Sequence, residues 1–154
     1  MNAKAVLVTG ANGFLGRAIL SQLLKMRFST RATDLGCASA TAGIAYQKSD
    51  ITRPEGLMDA IGGAATVIHA AGLAHIFSPG AGSDENFQQI NEIGTENVAK
   101  VASQAGVEHL ILISSVSVYG PYTTGIYDEN TPCNPAGPYA ADFDAQRQPG
   151  RSSG

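Results

Sequence analysis

The chain has 154 residues, a length that fits one domain with a substantial buried core. Its composition is 44% hydrophobic and only 15% charged, which favours a well-buried sheet over a charged helical bundle. The net charge is −3 and the basic residues are scattered, which argues against a nucleic-acid surface.

No apolar run approaches the roughly 20 residues that span a bilayer, and no signal peptide is visible. The two cysteines, Cys37 and Cys133, form neither a CxxC pair nor a zinc-binding pattern with histidine. We therefore expect a soluble, cytoplasmic protein with reduced thiols and no metal site, which binds neither nucleic acid nor membrane.

A strand and a helix separated by glycines come first in chain order. Lys4–Thr9 is a β-rich run, and Gly13–Met26 carries apolar residues at helical spacing. In the loop between them, Gly10 permits a tight turn, Gly13 lets the backbone approach a phosphate, and Gly16 lets the helix pack on the strand. The helix N-terminus offers amide donors and partial positive charge, so the loop predicts a pyrophosphate site.

A carboxylate ends the second predicted strand, Phe28–Thr33. This residue, Asp34, lies close to the spacing of about 20 residues expected for a ribose-binding acid. An acid there accepts hydrogen bonds from ribose hydroxyls and repels a 2′-phosphate, so NAD is predicted in preference to NADP. The alternative is that Asp34 is an ordinary turn residue.

The rest of the chain continues the alternation of strands and helices, which predicts an α/β fold with a doubly wound parallel sheet. The His109–Ser114 strand is nearly all apolar, so it should be buried on both faces. Three stretches are predicted irregular, the last of them a disordered tail: Gly72–Asp84, Gly120–Pro138 and 146–154. The remaining predicted elements are a weak strand at Ile44–Lys48, a helix at Pro54–Ile61, a strand at Ala65–His69 and a long helix at Glu85–Gln104 with Ile90, Ile93, Val98 and Val101 as its apolar face.

Six short motifs occur along residues 4–141, and together they are specific. They are Thr9–Gly16 (TGANGFLG), Asp50-Ile51, His69–Gly72 (HAAG), Asn91–Val98 (NEIGTENV), Ser114–Gly120 (SSVSVYG) and Asn134–Tyr139 (NPAGPY). In these residues the chain resembles the extended short-chain dehydrogenase/reductases, in particular the NAD-dependent epimerase/dehydratase group that acts on nucleotide sugars. The resemblance implies a Rossmann fold over residues 1–145 and relatives about twice this length, whose C-terminal substrate domain is absent here.

The resemblance also implies a role for each matched residue. Asn91 should help to order the site, and Ser115 and Tyr139 should be the catalytic serine and tyrosine. The other implied cofactor contacts are Gly10, Gly13, Phe14, Leu15 and Gly16 at the pyrophosphate, Asp50 and Ile51 at the adenine, and Ala70, Ala71 and Gly72 along the cofactor. Plainer alternatives stay open: Asp50 as a helix cap, His69 as a core residue rather than a catalyst, Asn91 as a structural residue and Ser115 as a partner of the backbone.

In this family the tyrosine is the general base on a sugar hydroxyl while hydride passes to the nicotinamide. A lysine four residues later lowers the tyrosine pKa from about 10. Here that position holds Phe143, and no lysine follows Lys100. We therefore expect the cofactor-binding portion of a sugar 4-epimerase-type enzyme, in a chain that is itself inactive.

A dehydratase is less favoured, because Ser117 and Val118 occupy the places where it usually carries acidic residues. Two further alternatives remain. One is a non-catalytic dinucleotide sensor that binds a partner protein. The other is a nonfunctional fragment whose exposed sheet edge can pair with another copy as a homodimer.

Overall fold

A computed structural model of the chain describes residues 5–36, 43–73, 84–121, 125–136 and 140–141. Within these ranges, strands and helices alternate as predicted. The elements are β1 (Ala5–Thr9), α1 (Phe14–Lys25), β2 (Thr30–Asp34), β3 (Ala45–Lys48), α2 (Leu57–Ile61), β4 (Ala64–His69), α3 (Asp84–Phe87), a π-helical segment (Gln88–Ile93), α4 (Gly94–Gln104), β5 (His109–Leu112) and a 3₁₀ turn (Val116–Tyr119).

The five strands form one parallel sheet in the order β3-β2-β1-β4-β5. The chain winds outward from β1 in one direction through β2 and β3, then returns to add β4 on the other side. The order therefore reverses between β1 and β4, and ligands of such sheets bind at the carboxyl ends of the strands at this point. The prediction of a doubly wound α/β fold is confirmed.

The core lies under α1, because β1 and β2 present small and branched side chains to one apolar stripe of that helix. Val8, Ala11, Leu20 and Ala32 are buried together there. On the other side of β1, Leu7 is also fully buried, so this central strand is enclosed on both faces. Burial of the central strands fixes the register of β1 and thus the position of the glycine loop that follows it.

The chain divides into two compact units, and each is described by itself. The first comprises Met1–Gly72 and Asn97–Ile113, and it holds the sheet, α1 and α2. The second comprises Leu73–Glu96 and Ser114–Gly154, and it holds α3, the π-helical segment and the 3₁₀ turn. No helix in the described ranges combines the length and apolarity that crossing a membrane requires.

The burial predicted for the His109–Ser114 strand is wrong. The strand exists as β5, but Leu110 is 40% exposed and Ile111 is 47% exposed. The reason is topological: β5 ends the strand order, so in the described part of the chain only β4 pairs with it. An apolar sequence is the same in an edge strand and in a central strand, but an edge strand has a neighbouring strand on one side only, so its side chains are less buried.

Two predicted helices also differ from the structure. The Pro54–Ile61 helix begins only at Leu57, where Gly56 is the N-cap. The Glu85–Gln104 helix is divided by the π-helical segment, whose buried member is the polar Asn91. The tail 146–154, Cys37 and Tyr139 lie outside the described residues, so the predictions for them stay predictions.

Candidate cofactor site

The glycine loop between β1 and α1 is shaped by contacts that leave no space for side chains. A Cβ built on Gly10, whose φ is +65°, falls 2.6 Å from the Ala71 amide nitrogen. A Cβ on Gly16 would overlap the Gly10 carbonyl oxygen. Gly10 therefore lets the loop lie against the segment after β4, and Gly16 lets α1 start directly against the loop. The two loops that flank the reversal in strand order are in contact.

The start of α1 is open to a ligand. Its N-cap, Gly13, is extended and supplies no side chain, and the first turn contains no acidic residue. A Cβ on Gly13 has one close neighbour, the Gly10 carbonyl oxygen at 3.1 Å. Phe14 is 88% exposed and Leu15 is also exposed, so two apolar side chains flank this terminus. Main-chain amides and the helix dipole thus face an uncrowded surface that suits a phosphate group.

Asp34, at the carboxyl end of β2, is held by two backbone amides. Asn12 N–H donates to Asp34 Oδ2 at 2.9 Å, and Gly36 N–H donates to Oδ1 at 3.3 Å. The first bond ties the carboxylate to the glycine loop. Each carboxylate oxygen has two lone pairs, so each retains acceptor capacity for a ribose hydroxyl.

Arg31 lies earlier on β2, and its guanidinium group donates to the carbonyl oxygens of Asp59 and Gly62 at the end of α2. Cations at a helix C-terminus are favourable because they offset the helix dipole. This position of Arg31 gives it a structural task away from Asp34. A 2′-phosphate beside Asp34 would therefore be repelled by the carboxylate, and the Arg31 guanidinium group would not neutralise its charge.

Thr9 joins the two loops of the site. Its hydroxyl oxygen accepts hydrogen bonds from the Ala70 and Ala71 amides, each at 3.2 Å. The hydroxyl proton is then directed to His69 Nδ1, 2.6 Å away. We therefore assign the neutral His69 ring the tautomer that carries its proton on Nε2. Sequence reasoning missed Thr9, although a hydroxyl residue just before the first glycine was a visible signal.

His69 is only 1% exposed, and burial lowers its pKa to about 4. A histidine held neutral by burial and bonded to Thr9 maintains the end of β4. This environment agrees with the interpretation of His69 as a core residue.

Asp50 and Ile51, the predicted adenine contacts, lie in the turn that follows β3. Asp50 Oδ1 accepts from the Thr52 amide at 2.9 Å and from its hydroxyl at 2.8 Å, while Oδ2 lies 3.8 Å from Arg53 Nε. Asp50 therefore caps its own turn and not α2, whose N-cap is Gly56. Ile51 is buried, and its carbonyl oxygen accepts from Asn97 Nδ2 at 3.0 Å.

In the second unit, Asn91 is 1% exposed, and its side-chain amide bonds to both the backbone N–H and the backbone C=O of Leu73. Its Oδ1 accepts from Leu73 N–H at 2.7 Å, and its Nδ2 donates to Leu73 C=O at 3.1 Å. π-Helical segments are frequent at functional sites because they turn a side chain out of the regular helical register. Asn91 thus fixes the chain just after Gly72, and its role in ordering the cofactor site stays a prediction.

Ser115 is the N-cap of the 3₁₀ turn, and its Oγ accepts from Ser117 N–H at 3.2 Å. The same oxygen lies 3.0 Å from Ser117 Oγ. The bond between the Ser115 side chain and the backbone, the plainer alternative for this residue, is therefore present, and it orients the Ser115 hydroxyl group. A cavity of about 490 Å³ lies beside this turn and is lined in part by Val116, Ser117 and Tyr127.

Fold and site together define a nucleotide-binding α/β domain of the Rossmann type. Residues 6–142 match the NAD dependent epimerase/dehydratase family, and the chain belongs to that family. Human sterol-4-alpha-carboxylate 3-dehydrogenase, decarboxylating, is 34% identical over 116 residues, which are 75% of this chain and 30% of that protein.

Two solved structures show the same fold with similar sequences. MoeE5 in complex with UDP-glucose and NAD superposes with a TM-score of 0.82 at 29% identity, covering 93% of this chain and 46% of that one. UDP-glucose 4-epimerase from Thermus thermophilus, in complex with NAD, gives 0.81 at 27% identity, covering 93% and 48%. The chain thus spans about a third to a half of the length of these relatives.

Proposed function

We propose that this chain binds NAD at the carboxyl ends of β1, β2 and β4. The observation that carries the proposal is the contact of the glycine loop with Asp34 on one side and with the Ala70-Ala71 segment on the other. Gly10, Gly13 and Gly16, with Phe14 and Leu15, hold the pyrophosphate. The Asp34 carboxylate binds the ribose hydroxyls, and Asp50, Ile51, Ala70, Ala71 and Gly72 border the rest of the cofactor.

Calorimetric titration of the 154-residue chain with NAD tests this proposal. We expect saturable binding that Gly16→Ala abolishes, because the added methyl group pushes the Gly10 carbonyl away from α1. Gly125→Ala is the matched control, since a Cβ at that glycine has no heavy atom within 4 Å. Equal affinities of both variants, or no binding by the unmodified chain, would contradict the proposal.

We further propose that the chain is the cofactor portion of an enzyme that epimerises a nucleotide sugar at C4. When bound, NAD supplies the acceptor for hydride from a secondary alcohol. Ser115 Oγ, oriented by the Ser117 amide, would donate a hydrogen bond to the alcohol oxygen, and Tyr139 would accept the alcohol proton as its phenolate. Return of hydride to the opposite face of C4, with the proton given back by Tyr139, would complete the epimerisation. Support comes from the relatives solved with UDP-glucose or named as epimerases.

A chimera tests the reaction. Residues 1–138 of this chain are joined to the C-terminal remainder of the Thermus thermophilus UDP-glucose 4-epimerase. We expect NAD binding and interconversion of UDP-glucose with its C4 epimer, with Ser115→Ala slowing turnover about 100-fold. A folded, NAD-binding chimera without epimerase activity would contradict the proposal.

Two alternatives have specific support. The 34% identity with the sterol dehydrogenase, and with mouse 3 beta-hydroxysteroid dehydrogenase type 7, favours oxidation of a 3β-hydroxysteroid by the same alcohol chemistry. Phe143 in place of the expected lysine favours a non-catalytic NAD sensor. The Phe143→Lys variant tests the enzyme alternatives, because hydride transfer to NAD from UDP-glucose or from a 3β-hydroxysteroid identifies the enzyme class. Capture of a partner protein by the unmodified chain only in the presence of NAD favours the sensor. A homodimer and a cytoplasmic location stay predictions.

A further inference from the structure

Tyr46 lies on the outer strand β3, one strand away from Asp34. It is paired with Ala32 in the parallel register, and its half-buried ring packs on the core cluster beneath α1. The ring is anchored by apolar contacts, while its hydroxyl reaches the carboxyl end of β2. Nothing in the sequence motifs marks this residue.

The Tyr46 hydroxyl group joins three segments of the site. It lies 2.5 Å from the Gly36 carbonyl oxygen and 3.2 Å from the Asp34 carbonyl oxygen, and its single proton bonds to the nearer of the two. Asn12 Nδ2 lies 3.5 Å from the same hydroxyl, at the limit of a hydrogen bond. The Tyr46 side chain therefore holds the turn after β2 and contacts the glycine loop.

These contacts surround the peptide groups that orient the Asp34 carboxylate. Gly36 donates its amide to Asp34 Oδ1 and accepts the Tyr46 hydroxyl proton at its carbonyl. Asn12 donates its amide to Asp34 Oδ2, and its side chain approaches Tyr46. Each residue that fixes one carboxylate oxygen is thus also in contact with Tyr46. The orientation of the carboxylate is set before any ligand arrives.

A Cβ built on Gly36 falls 3.0 Å from Asn12 Nδ2, so the Asn12 side chain covers this glycine. Asn12, Gly36 and Tyr46 together form a polar clasp around the base of Asp34. A clasp of this kind keeps the carboxylate from turning aside to make room for an additional phosphate. Fixed acceptors bind two hydroxyls well, because the cost of ordering them is met in folding and not in binding.

We propose that Tyr46 is a positioning residue that acts through Asp34 to set the preference for NAD over NADP. The inference rests on the NAD site proposed above and adds to it the residue that holds the ribose acid in place. Without the hydroxyl, the Asp34–Gly36 turn loosens. The carboxylate then binds ribose less well and also repels a 2′-phosphate less strongly.

Titration of the full chain with NAD and with NADP tests this inference. Tyr46→Phe keeps the ring on the core and removes only the hydroxyl. We expect its NAD affinity to fall about threefold to tenfold, the loss that goes with one hydrogen bond, while NADP affinity stays constant or rises. Tyr119→Phe is the control, because it removes a hydroxyl that donates to Asp128 C=O in the second unit. Its affinities should match those of the unmodified chain.

The change in preference separates positioning from general destabilisation, which lowers both affinities by the same factor. The Asp34→Asn background adds a second separation: if Tyr46 acts through Asp34, Tyr46→Phe alters NAD affinity less than about twofold there. Equal losses for NAD and NADP, or an undiminished effect beside Asp34→Asn, would overturn the inference.

Amide hydrogen exchange on the unmodified chain covers the case in which Tyr46→Phe does not fold. We expect the Asn12 and Gly36 amides to exchange slowly without cofactor, since both are bonded to Asp34. Exchange at the rate of an unstructured peptide would overturn the inference. If the unmodified chain does not bind NAD, both proposals fall; if it binds NAD but Tyr46→Phe behaves like it, only the Tyr46 proposal falls.

Discussion

Two side-chain hydroxyl groups, those of Thr9 and Tyr46, connect the segments that form the site, and neither belongs to a glycine. Thr9 joins β1 to the segment after β4, and Tyr46 joins β3 to the turn after β2. The glycines allow the backbone to come close, and these polar side chains keep it there. The glycines could be predicted because the backbone at a phosphate loop excludes a Cβ. The hydroxyl of Thr9 was visible beside the first glycine, but its partners after β4 were not, because they are distant in sequence. Tyr46 could not be predicted, because no local pattern shows that its hydroxyl reaches the turn after β2.

Burial of His69 predicts a dependence of stability on pH. Its pKa is about 4 in the folded chain and about 6.5 in the unfolded chain, so between these values the unfolded state binds more protons. The free energy of unfolding therefore falls as pH drops from about 6.5 towards 4, by about 3 kcal/mol in total, and this contribution is flat above about pH 7.

Urea denaturation at about pH 7, 6 and 5, across the window between the two pKa values, measures this dependence. His69→Gln, whose side-chain oxygen can still accept from Thr9, should lose the His69 contribution to it. His109→Gln serves as the matched control, because His109 is exposed at the start of β5. An unchanged pH dependence in His69→Gln would show that another group is responsible.

The positions of the strands could be predicted from the sequence more closely than their burial could. The alternation of apolar runs and helical spacing located every strand of the described sheet, because side-chain period is a property of the backbone. Helix interruptions were not visible: Ile90 and Ile93 suggested one continuous helix, whereas the structure places a π-helical segment there to turn Asn91 onto Leu73. The burial of β5 depends on which strand lies beyond it, and no local pattern contains that information.

The contribution of an apolar side chain to stability should differ between the core and the sheet edge, and two isoleucines allow the comparison. Ile61 is fully buried in α2, whereas Ile111 is 47% exposed on β5. We expect Ile61→Ala to lower the free energy of unfolding by about 3–4 kcal/mol and Ile111→Ala by about 1 kcal/mol. The comparison uses the same chemical change in one chain, read from urea midpoints at constant slope. Equal losses would mean that β5 is covered in solution.

At the scale of the whole molecule, the chain comprises two compact units, of which the first holds the glycine loop and Asp34 and the second holds Ser115 and Asn91. The described residues assigned to the pyrophosphate, ribose and adenine all belong to the first unit. The family was predictable because its motifs cluster where strands end at the cofactor. A substrate could not be predicted, because the relatives are about two to three times as long as the part that matches.

This division predicts which part of NAD stabilises the chain. The first unit provides groups for adenosine and pyrophosphate, so ADP-ribose should raise the melting temperature nearly as much as NAD does. At about 100 times the dissociation constant, a ligand adds about 2.7 kcal/mol to the free energy of unfolding, which for a chain of this size raises the melting temperature by about 5–10 °C.

Nicotinamide mononucleotide at the same concentration should raise the melting temperature by less than about 2 °C, since it lacks the adenosine that Asp34 and Asp50 are proposed to bind. Differential scanning fluorimetry with the three ligands measures these shifts, and Asp34→Ala should reduce the first two alike. A larger shift with nicotinamide mononucleotide than with ADP-ribose would place the principal binding energy in the second unit, beside Ser115, and would contradict the assignment of the first unit as the cofactor anchor.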